Sequence, residues 1–397
     1  MAEVSGCGDS CRFGCDVFLS EPPSWLFTRR VGILANQASV TREFRNVVDA
    51  VVALGGRVTA VFSPQHGFFS EKQANMIESD HGIHPRYGIP VFSLYGEVRR
   101  PTPDMLERID VFLIDLQDVG TRVYTYGTTV GLCVEAAAAA GVDVVVLDRP
   151  NPLGGARLEG NLVQEEYRSF VGRYALPMRH GLTLGELALW VSRLLGRPEA
   201  VQVVPVQGWR RDALWPSTGR PWIFPSPNMP SWETALVYPG MVLLEGTNVS
   251  EGRGTTLPFM LFGAPFVEPD ELEAHLDPRD RQGVVLRPVS FEPTFDKWAG
   301  RLCRGFHLVV TDPDRFWPYR FGLSLLRAFL RAYPDQFQWL PPPYEYDHEH
   351  LPMDILIGDG QIRKALEEGE SLDHLEARWL SDLKEFEASC KPALVYS

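Results

Sequence analysis

The sequence predicts an α/β protein, with a Rossmann-like, mainly parallel sheet in its N-terminal domain and a smaller α+β C-terminal domain. Two observations predict the sheet: near-continuous runs of Val, Ile and Leu, and the helical segments that alternate with them. A looser pattern after about residue 255 predicts the second domain. The length of 397 residues also favours two domains, which we place at residues 1–230 and 231–397.

Strand and helix patterns alternate through the N-terminal domain. Short apolar runs predict strands at residues 30–36, 57–63, 88–96, 110–116, 142–148 and 200–206. The segments between them predict helices at residues 44–56, 102–109, 128–141 and 182–196. Thr102 is a candidate N-cap, Thr183 and Glu186 form a candidate capping box, and Gly141 ends its helix.

The pattern changes at residues 208–232, which are rich in Pro, Trp and Gly. This segment is long for a structureless connection, so we interpret it as either a linker or a functional crossing segment. Beyond it, apolar runs predict strands at residues 283–293 and 306–312. Helices are predicted at residues 319–334 and within residues 354–369.

Composition limits the classes of partner. Hydrophobic residues make up 45% and charged residues 22% of the chain, and the net charge is −13. An acidic chain without a Lys/Arg-rich run is a poor candidate for binding nucleic acid or an anionic membrane. No signal-peptide pattern and no apolar stretch of about 18 residues is present, so we expect a cytoplasmic protein.

The cysteines predict neither a disulfide scaffold nor a metal site. Cys7, Cys11 and Cys15 follow a C-x3-C-x3-C spacing that matches no common zinc or iron–sulfur pattern. We interpret this region as an irregular arm in which Cys15 is buried in a strand. Cys133 and the remaining two cysteines are expected to be ordinary core or surface thiols.

Polar residues follow four of the predicted strands. In an open parallel sheet, ligands bind beyond the carboxyl ends of the strands, so these residues should meet at one edge. The candidates are Asn36, Gln65, His66, Asp115, Asp118, Arg122, Tyr124, Asp148 and Asn151. Each also has a structural interpretation: Asp148 could cap a helix, Asp115 could be a satisfied buried group, Asp118 and Arg122 could pair, and His66 could be a structural residue.

A second polar cluster lies among glycines in residues 243–259, and it contains Glu245, Asn248, Glu251 and Arg253. Glycines allow a backbone to approach a ligand closely, and these side chains suit a ligand with many hydroxyl groups. Asn228 lies nearby in sequence, on the crossing segment. The alternative interpretation is a charge-paired domain junction.

Cofactor motifs are missing from the sequence. No GxGxxG follows the first strand, and neither GxxxxGK[ST] nor GxSxG occurs. No HExxH or comparable spacing supports a metal site. We therefore expect neither a cofactor nor a metal.

Many separate motifs resemble the NamZ family of exo-β-N-acetylmuramidases, formerly a domain of unknown function. They recur in order from about Val31 to the C-terminus and include SPQHGFFSEKQ, DLQDVGTRVYTY, VLDRPNPLGG, PSPNMP and ETALVYPGMVLLEGTNVSEGRGTTLPF. The resemblance implies an active site in a cleft between two domains. The implied substrate is a muramic-acid-containing saccharide, and the implied reaction releases N-acetylmuramic acid from the non-reducing end of peptidoglycan fragments.

The family pattern also implies site residues. Its PEHG motif corresponds to PQHG here, so Gln65 occupies the place of the family's favoured acid. Glu71, in the same loop, is then the expected substitute, with Asp118 as the second carboxylate and His66 also in the catalytic group. The expected substrate-binding residues are Gln65, Asn36, Arg122, Tyr124, Asp148, Asn151, Asn228, Glu245, Asn248, Glu251 and Arg253.

Two details of the chemistry stay open. Glu245 and Glu251 are alternative acids, and the substrate's own acetamido group could replace an enzyme nucleophile. Either Arg122 or Arg253 could pair with the lactyl carboxylate of muramic acid, because a guanidinium binds a carboxylate through two hydrogen bonds. The rival functions are a muropeptide- or sugar-binding protein without turnover and a hydrolase of a different amino-sugar glycoside.

Overall fold

The computed structural model describes residues 11–73 and 76–397. Within these residues the larger sheet has seven strands, in the order β3-β4-β2-β1-β5-β6-β7, and only the pairing of β3 with β4 is antiparallel. The strands are β1 Val31–Ala35, β2 Val58–Ser63, β3 Gly82–Ile83, β4 Pro90–Ser93, β5 Val111–Asp115, β6 Asp143–Leu147 and β7 Val201–Val204. The predicted mainly parallel sheet is confirmed.

Helices cover both faces of this sheet, which explains its continuous apolar strands. Successive residues of a strand point to opposite faces, and Ile33 and Leu34 accordingly belong to two different apolar clusters. The helices are α1 Gly14–Ser20, α2 Val47–Ala53, α3 Pro103–Leu106, α4 Tyr126–Ala140 and α5 Leu184–Leu194. Helix α2 contributes Val47 to one cluster, and α4 contributes Val130 to the other.

The predicted helix caps are present. The Thr102 hydroxyl accepts a hydrogen bond from the backbone N–H of Met105 at the start of α3. Thr183 and Glu186 form a reciprocal capping box at the start of α5. Gly141 ends α4 with a φ of 69°, a conformation that glycine adopts at little cost.

The prediction that Cys15 lies in a strand is wrong, because Cys15 is buried on α1. Asp16 starts this helix by accepting a hydrogen bond from the backbone N–H of Phe13 at 3.0 Å. The helix then packs tightly on the sheet, since a Cβ at Gly14 would lie 2.3 Å from the backbone nitrogen of Asp148. Cys7 lies outside the described residues.

The C-terminal part contains a small antiparallel sheet in the order β8-β10-β9. Its elements are α6 Trp232–Met241, β8 Leu261–Ala264, α7 Pro269–Ala274, β9 Val284–Phe291, β10 Cys303–Val310, α8 Pro318–Ala332, α9 Pro352–Ile357, α10 Gly360–Glu367 and α11 Leu372–Cys390. Helices α6 and α8 cross at Gly240 and Gly322, where a Cβ on Gly240 would overlap the Pro318 carbonyl. The sequence patterns did not predict α6, β8, α7 or α11.

One apolar cluster continues from the large sheet into the C-terminal part and includes both Phe112 and Phe306. The crossing segment packs at this junction: the Pro225 carbonyl accepts hydrogen bonds from the Asn36 side chain at 2.8 Å and the Tyr126 hydroxyl at 2.7 Å. The domain boundary at residue 230 stays a prediction. Across the described residues, no helix has the length and apolar character needed to cross a membrane.

Candidate active site

A small pocket, with a cavity volume of about 30 Å³ or about 460 Å³ when the solvent space at its open mouth is counted, lies where the loop after β2, the start of α4, the crossing segment and the C-terminal loops meet. The N-terminal part supplies Gln65, His66, Val123, Tyr124, Thr125, Tyr126 and Val171 to its wall. The crossing segment supplies Ser226, Asn228 and Met229. The C-terminal part supplies Tyr238, Glu245, Arg253, Phe259, Tyr344 and Glu345.

The loop after β2 turns sharply at His66, which has a φ of 76°. Gln65 accepts a hydrogen bond from the Thr125 hydroxyl at 2.8 Å. The Nδ1 atom of His66 lies 2.7 Å from the Lys72 carbonyl, which can only accept, so this nitrogen carries the proton. Burial lowers the pKa of His66 to about 4, and Arg253 adds to this effect. The imidazole is therefore neutral at physiological pH, with Nε2 as an acceptor.

Glu345 is a buried carboxyl group in the pocket wall. Its Oε2 atom accepts a hydrogen bond from the Tyr95 hydroxyl at 3.0 Å. Its Oε1 atom is buried and has no hydrogen-bond partner among the described residues. Burial raises the pKa of Glu345 to about 7, and Glu245 adds to the increase, while the Tyr95 hydrogen bond opposes it. This carboxyl group can hold a proton near neutral pH.

The backbone around Glu345 is unusual for non-glycine residues. Glu345 and Tyr346 have φ values of 45° and 69°, inside a turn closed by the bridge between Tyr344 and Asp347. Left-handed conformations of such residues are costly, and they occur often at functional sites. The turn directs Tyr344 and Glu345 to the same pocket.

A network of alternating charges supports the opposite part of the wall. Arg253 donates to Glu245 at 2.6 Å and its Nε lies 3.2 Å from Glu251, while Lys297 lies 2.6 Å from Glu251. Burial alone would raise the pKa of Glu251, but Lys297 and Arg253 outweigh it, and the pKa is lowered. The Tyr344 hydroxyl donates to the second oxygen of Glu245 at 2.8 Å. Glu245 is thus fixed in place.

Aromatic rings form the apolar wall. The ring centroids of Tyr124 and Tyr126 lie 4.7 Å apart, and those of Tyr238 and Phe259 lie 4.8 Å apart. Tyr124 also packs edge-on against Tyr238. Aromatic faces beside hydroxyl, amide and carboxyl groups suit a sugar, which has both C–H faces and polar edges.

Six predicted site residues line this pocket: Gln65, His66, Tyr124, Asn228, Glu245 and Arg253. Glu71 does not line it. The Glu71 side chain is exposed, and its carboxylate accepts a hydrogen bond from the backbone N–H of Phe69 at 3.1 Å in its own loop. This geometry does not favour Glu71 as the acid.

Asp118 and Arg122 lie close to the pocket without lining it, and they do not pair. Asp118 accepts from the backbone N–H of Gly120 at 2.8 Å, and the Nε2 of His180 lies 3.4 Å away. The terminal nitrogens of Arg122 donate at 2.6–3.0 Å to the carbonyls of Asn161, Leu176, Leu356 and Ile357. Arg122 therefore joins backbone segments instead of presenting its charge to a ligand.

Other predicted residues hold the surrounding loops. Asp148 accepts from the Thr183 hydroxyl at 2.7 Å and the Gly185 backbone N–H at 2.8 Å, which confirms its helix-capping interpretation. Asp115 pairs with Arg149 at 2.5 Å and is a satisfied buried group.

Three amide side chains serve the backbone in a similar way. Asn36 donates to the Pro225 carbonyl at 2.8 Å. Asn151 donates to the Leu182 carbonyl at 2.9 Å. Asn248 donates to the Gln336 carbonyl at 2.8 Å. These residues position parts of the fold around the pocket, and their predicted contact with substrate stays a prediction.

Sequence reasoning missed Glu345, Tyr344 and Tyr95. The first two lie in PPPYEYDHEH, residues 341–350, where an acid between two tyrosines follows three prolines. An acid flanked by aromatic residues after a rigid segment was the available signal. Tyr95 gave no comparable signal, because its partner is 250 residues away.

Comparisons with known proteins agree with the fold over nearly the whole chain. Models of the exo-beta-N-acetylmuramidase NamZ family match residues 31–233 (N-terminal) and 236–396 (C-terminal). The peptidoglycan beta-N-acetylmuramidase NamZ of Bacillus subtilis (strain 168) is 40% identical over 384 residues, covering 96% of this chain and 91% of that protein. Two crystal structures of DUF1343 family proteins from Bacteroides fragilis NCTC 9343 superpose with TM-scores of 0.85 and 0.77. Each is 29% identical, covering 98% of this chain and 99% of the other.

Proposed function

Because the chain belongs to the NamZ family of exo-beta-N-acetylmuramidases, we propose that it releases N-acetylmuramic acid from the non-reducing end of peptidoglycan fragments, and that the pocket at Glu345 is where it does so. It is a glycosidase. The single observation that carries the site assignment is Glu345: a buried carboxyl group in the pocket wall with one oxygen unpaired among the described residues.

We propose Glu345 as the general acid. Tyr95 already donates to Oε2, so the proton of the neutral carboxyl group resides on Oε1, the oxygen without a partner among the described residues. A carboxylic acid with a pKa of about 7 retains its proton near neutral pH and can transfer it to the glycosidic oxygen as the bond breaks. Glutamine at position 65 does not remove this function, since Glu345 supplies the proton.

The same bond-breaking step also needs a nucleophile at the anomeric carbon. Both Glu245 oxygens already accept hydrogen bonds, from Arg253 and Tyr344, so this carboxylate is held in place by donors. We propose that the carbonyl oxygen of the substrate's 2-acetamido group attacks the anomeric carbon, with Glu245 stabilising the positive charge that develops there. Water then opens the cyclic intermediate and returns a proton to Glu345.

The remaining wall fits recognition of one terminal sugar. The neutral imidazole of His66 can accept a hydrogen bond from a sugar hydroxyl through Nε2. Thr125, Ser226 and Asn228 add neutral polar groups, and the tyrosines provide stacking faces. A pocket closed on several sides by these groups favours release of a terminal residue over cleavage within a chain. The cytoplasmic location stays a prediction.

The direct test is to incubate the full chain with a muramic-acid–glucosamine disaccharide and with a chromogenic β-muramic acid glycoside. We expect N-acetylmuramic acid to appear from the non-reducing end, measured by mass spectrometry. Binding of the disaccharide without release would contradict the proposed function and favour a sugar-binding protein. Release from an internal linkage of longer fragments would contradict the exo mode.

A further inference from the structure

Arg253 is a charged residue of the pocket wall with an unused terminal donor. The residue is only 7% exposed, and it forms part of the pocket wall. Its Nη2 donates to Glu245 and its Nε lies 3.2 Å from Glu251. Its Nη1 is buried and has no hydrogen-bond partner among residues 11–73 and 76–397. A buried guanidinium nitrogen without a partner is costly, so a bound ligand is its natural acceptor.

The surroundings of Arg253 hold its orientation. Glu245 and Glu251 fix two edges of the guanidinium, and Lys297 balances the charge of Glu251 at 2.6 Å. The guanidinium carbon also lies 5.0 Å from the centroid of the Phe259 ring, another part of the pocket wall. The remaining edge is therefore positioned before any ligand arrives, which favours tight binding.

The charges around Arg253 favour an anionic group as the ligand acceptor for Nη1. The two carboxylates of the network are balanced by Arg253 and Lys297, so an entering anion meets a site without net negative charge. Muramic acid differs from glucosamine in its lactyl ether, which ends in a carboxylate. A carboxylate accepts from a guanidinium more strongly than a neutral carbonyl does.

We propose that Nη1 of Arg253 binds the lactyl carboxylate of the terminal muramic acid and thereby selects muramic acid over glucosamine. This inference rests on the proposed function, because it places the same sugar in the same pocket. It also separates the two arginines that the sequence left as alternatives. The terminal nitrogens of Arg122 donate to four backbone carbonyls, and Arg122 does not line the pocket; only its Nε has no partner among the described residues. Arg253 lines the pocket, and its terminal Nη1 has no partner among the same residues.

The test compares N-acetylmuramic acid with its lactyl methyl ester, which keeps the ring and acetamido group but removes the charge. Calorimetric titration of the full chain should show that the acid binds roughly tenfold or more tightly than the ester. Arg253→Lys keeps a cation between Glu245 and Glu251 but loses the planar guanidinium. The ratio of the affinity for the acid to the affinity for the ester should therefore fall below about threefold. Arg304→Lys, at an exposed pair with Glu268, should keep the wild-type ratio.

The binding and hydrolysis results test the inference and the proposed function separately. Equal binding of the acid and the ester by the wild-type protein overturns the inference, even where the disaccharide is hydrolysed normally. Preference for the acid without hydrolysis overturns the proposed function and supports the inference as a binding role. Binding of neither sugar overturns the inference, while the proposed function is judged separately by release of N-acetylmuramic acid from the disaccharide. The comparison of ligands uses only the wild-type protein, so the result stands even where Arg253→Lys does not fold.

Discussion

The Tyr95 hydroxyl donates to Oε2 of Glu345 at 3.0 Å, across 250 residues of sequence. Tyr95 follows β4 in the large sheet, and Glu345 lies in a turn between α8 and α9. This hydrogen bond occupies one oxygen of Glu345, and the other has no partner among the described residues. It also gives the chain a way to tune the pKa of the proposed acid.

Replacing Glu345 with glutamine should reduce kcat by about 10²–10⁴-fold, because an amide cannot transfer the proton. Steady-state kinetics with the chromogenic glycoside measure this loss. Glu71→Gln is the matched control: Glu71 is exposed and bonded within its own loop, so this variant should keep at least about half of the wild-type rate. A large loss in Glu71→Gln together with normal turnover in Glu345→Gln would assign the acid to Glu71.

Tyr95→Phe should move the basic limb of the pH–rate profile to higher pH. The Tyr95 hydrogen bond stabilises the ionised form of Glu345 and lowers its pKa, so its removal should raise that pKa above about 7. The rate on the plateau should change little, since the carboxyl group itself remains. A basic limb at the wild-type position would contradict the assignment of that limb to Glu345.

Glu345 should also make stability depend on pH. Its pKa rises from 4.5 in the unfolded chain to about 7 in the folded protein. The folded state therefore binds more protons between these values, and this stabilising contribution is full below pH 4.5 and lost as the pH rises through 7. The wild-type protein loses this contribution between pH 4.5 and pH 8, and Glu345→Gln does not. The free energy of unfolding of the variant minus that of the wild type should therefore increase by about 3 kcal/mol from pH 4.5 to pH 8. Denaturant unfolding at both pH values measures the difference, and a constant difference would mean that Glu345 ionises normally.

Gln65→Glu tests the role of the loop after β2. Gln65 accepts from Thr125 and lines the pocket, so a carboxylate there would add negative charge near Glu345. We expect a higher pKa for Glu345, a basic limb shifted to higher pH and a plateau rate within about threefold of wild type. A rise of about 100-fold in plateau kcat would instead place the acid at position 65.

Replacing the substrate's acetamido group with a trifluoroacetamido group tests the nucleophile. Fluorine withdraws electrons from the carbonyl oxygen, so participation of this oxygen predicts a rate loss on the order of 10²-fold. The acid and the pocket contacts are unchanged in this comparison. An unchanged rate would assign the attack to an enzyme carboxylate, and Glu245 is then the nearest candidate in the pocket wall.

The sequence predicted part of the candidate site for a clear reason. Gln65 and His66 follow β2, and the topology of a parallel sheet places such residues at one edge. The same rule also selected Asp148, whose carboxylate caps α5 instead. Strand ends supply both ligands and caps, and sequence position alone does not separate the two.

Local patterns predicted the strands of the described large sheet except β3, the caps of α3 and α5 and the end of α4, because these depend on contacts within a few residues. The tertiary structure decided which charged groups the pocket uses. Arg122 and Arg253 look alike in sequence, yet folding ties the terminal nitrogens of Arg122 to four backbone carbonyls and keeps Arg122 out of the pocket wall. Arg253 lines the pocket, and its terminal Nη1 has no partner among the described residues. Glu345 becomes a candidate acid only once burial raises its pKa and Tyr95 reaches it. Desolvation and long-range partners set these properties, and both arise only when distant segments pack together.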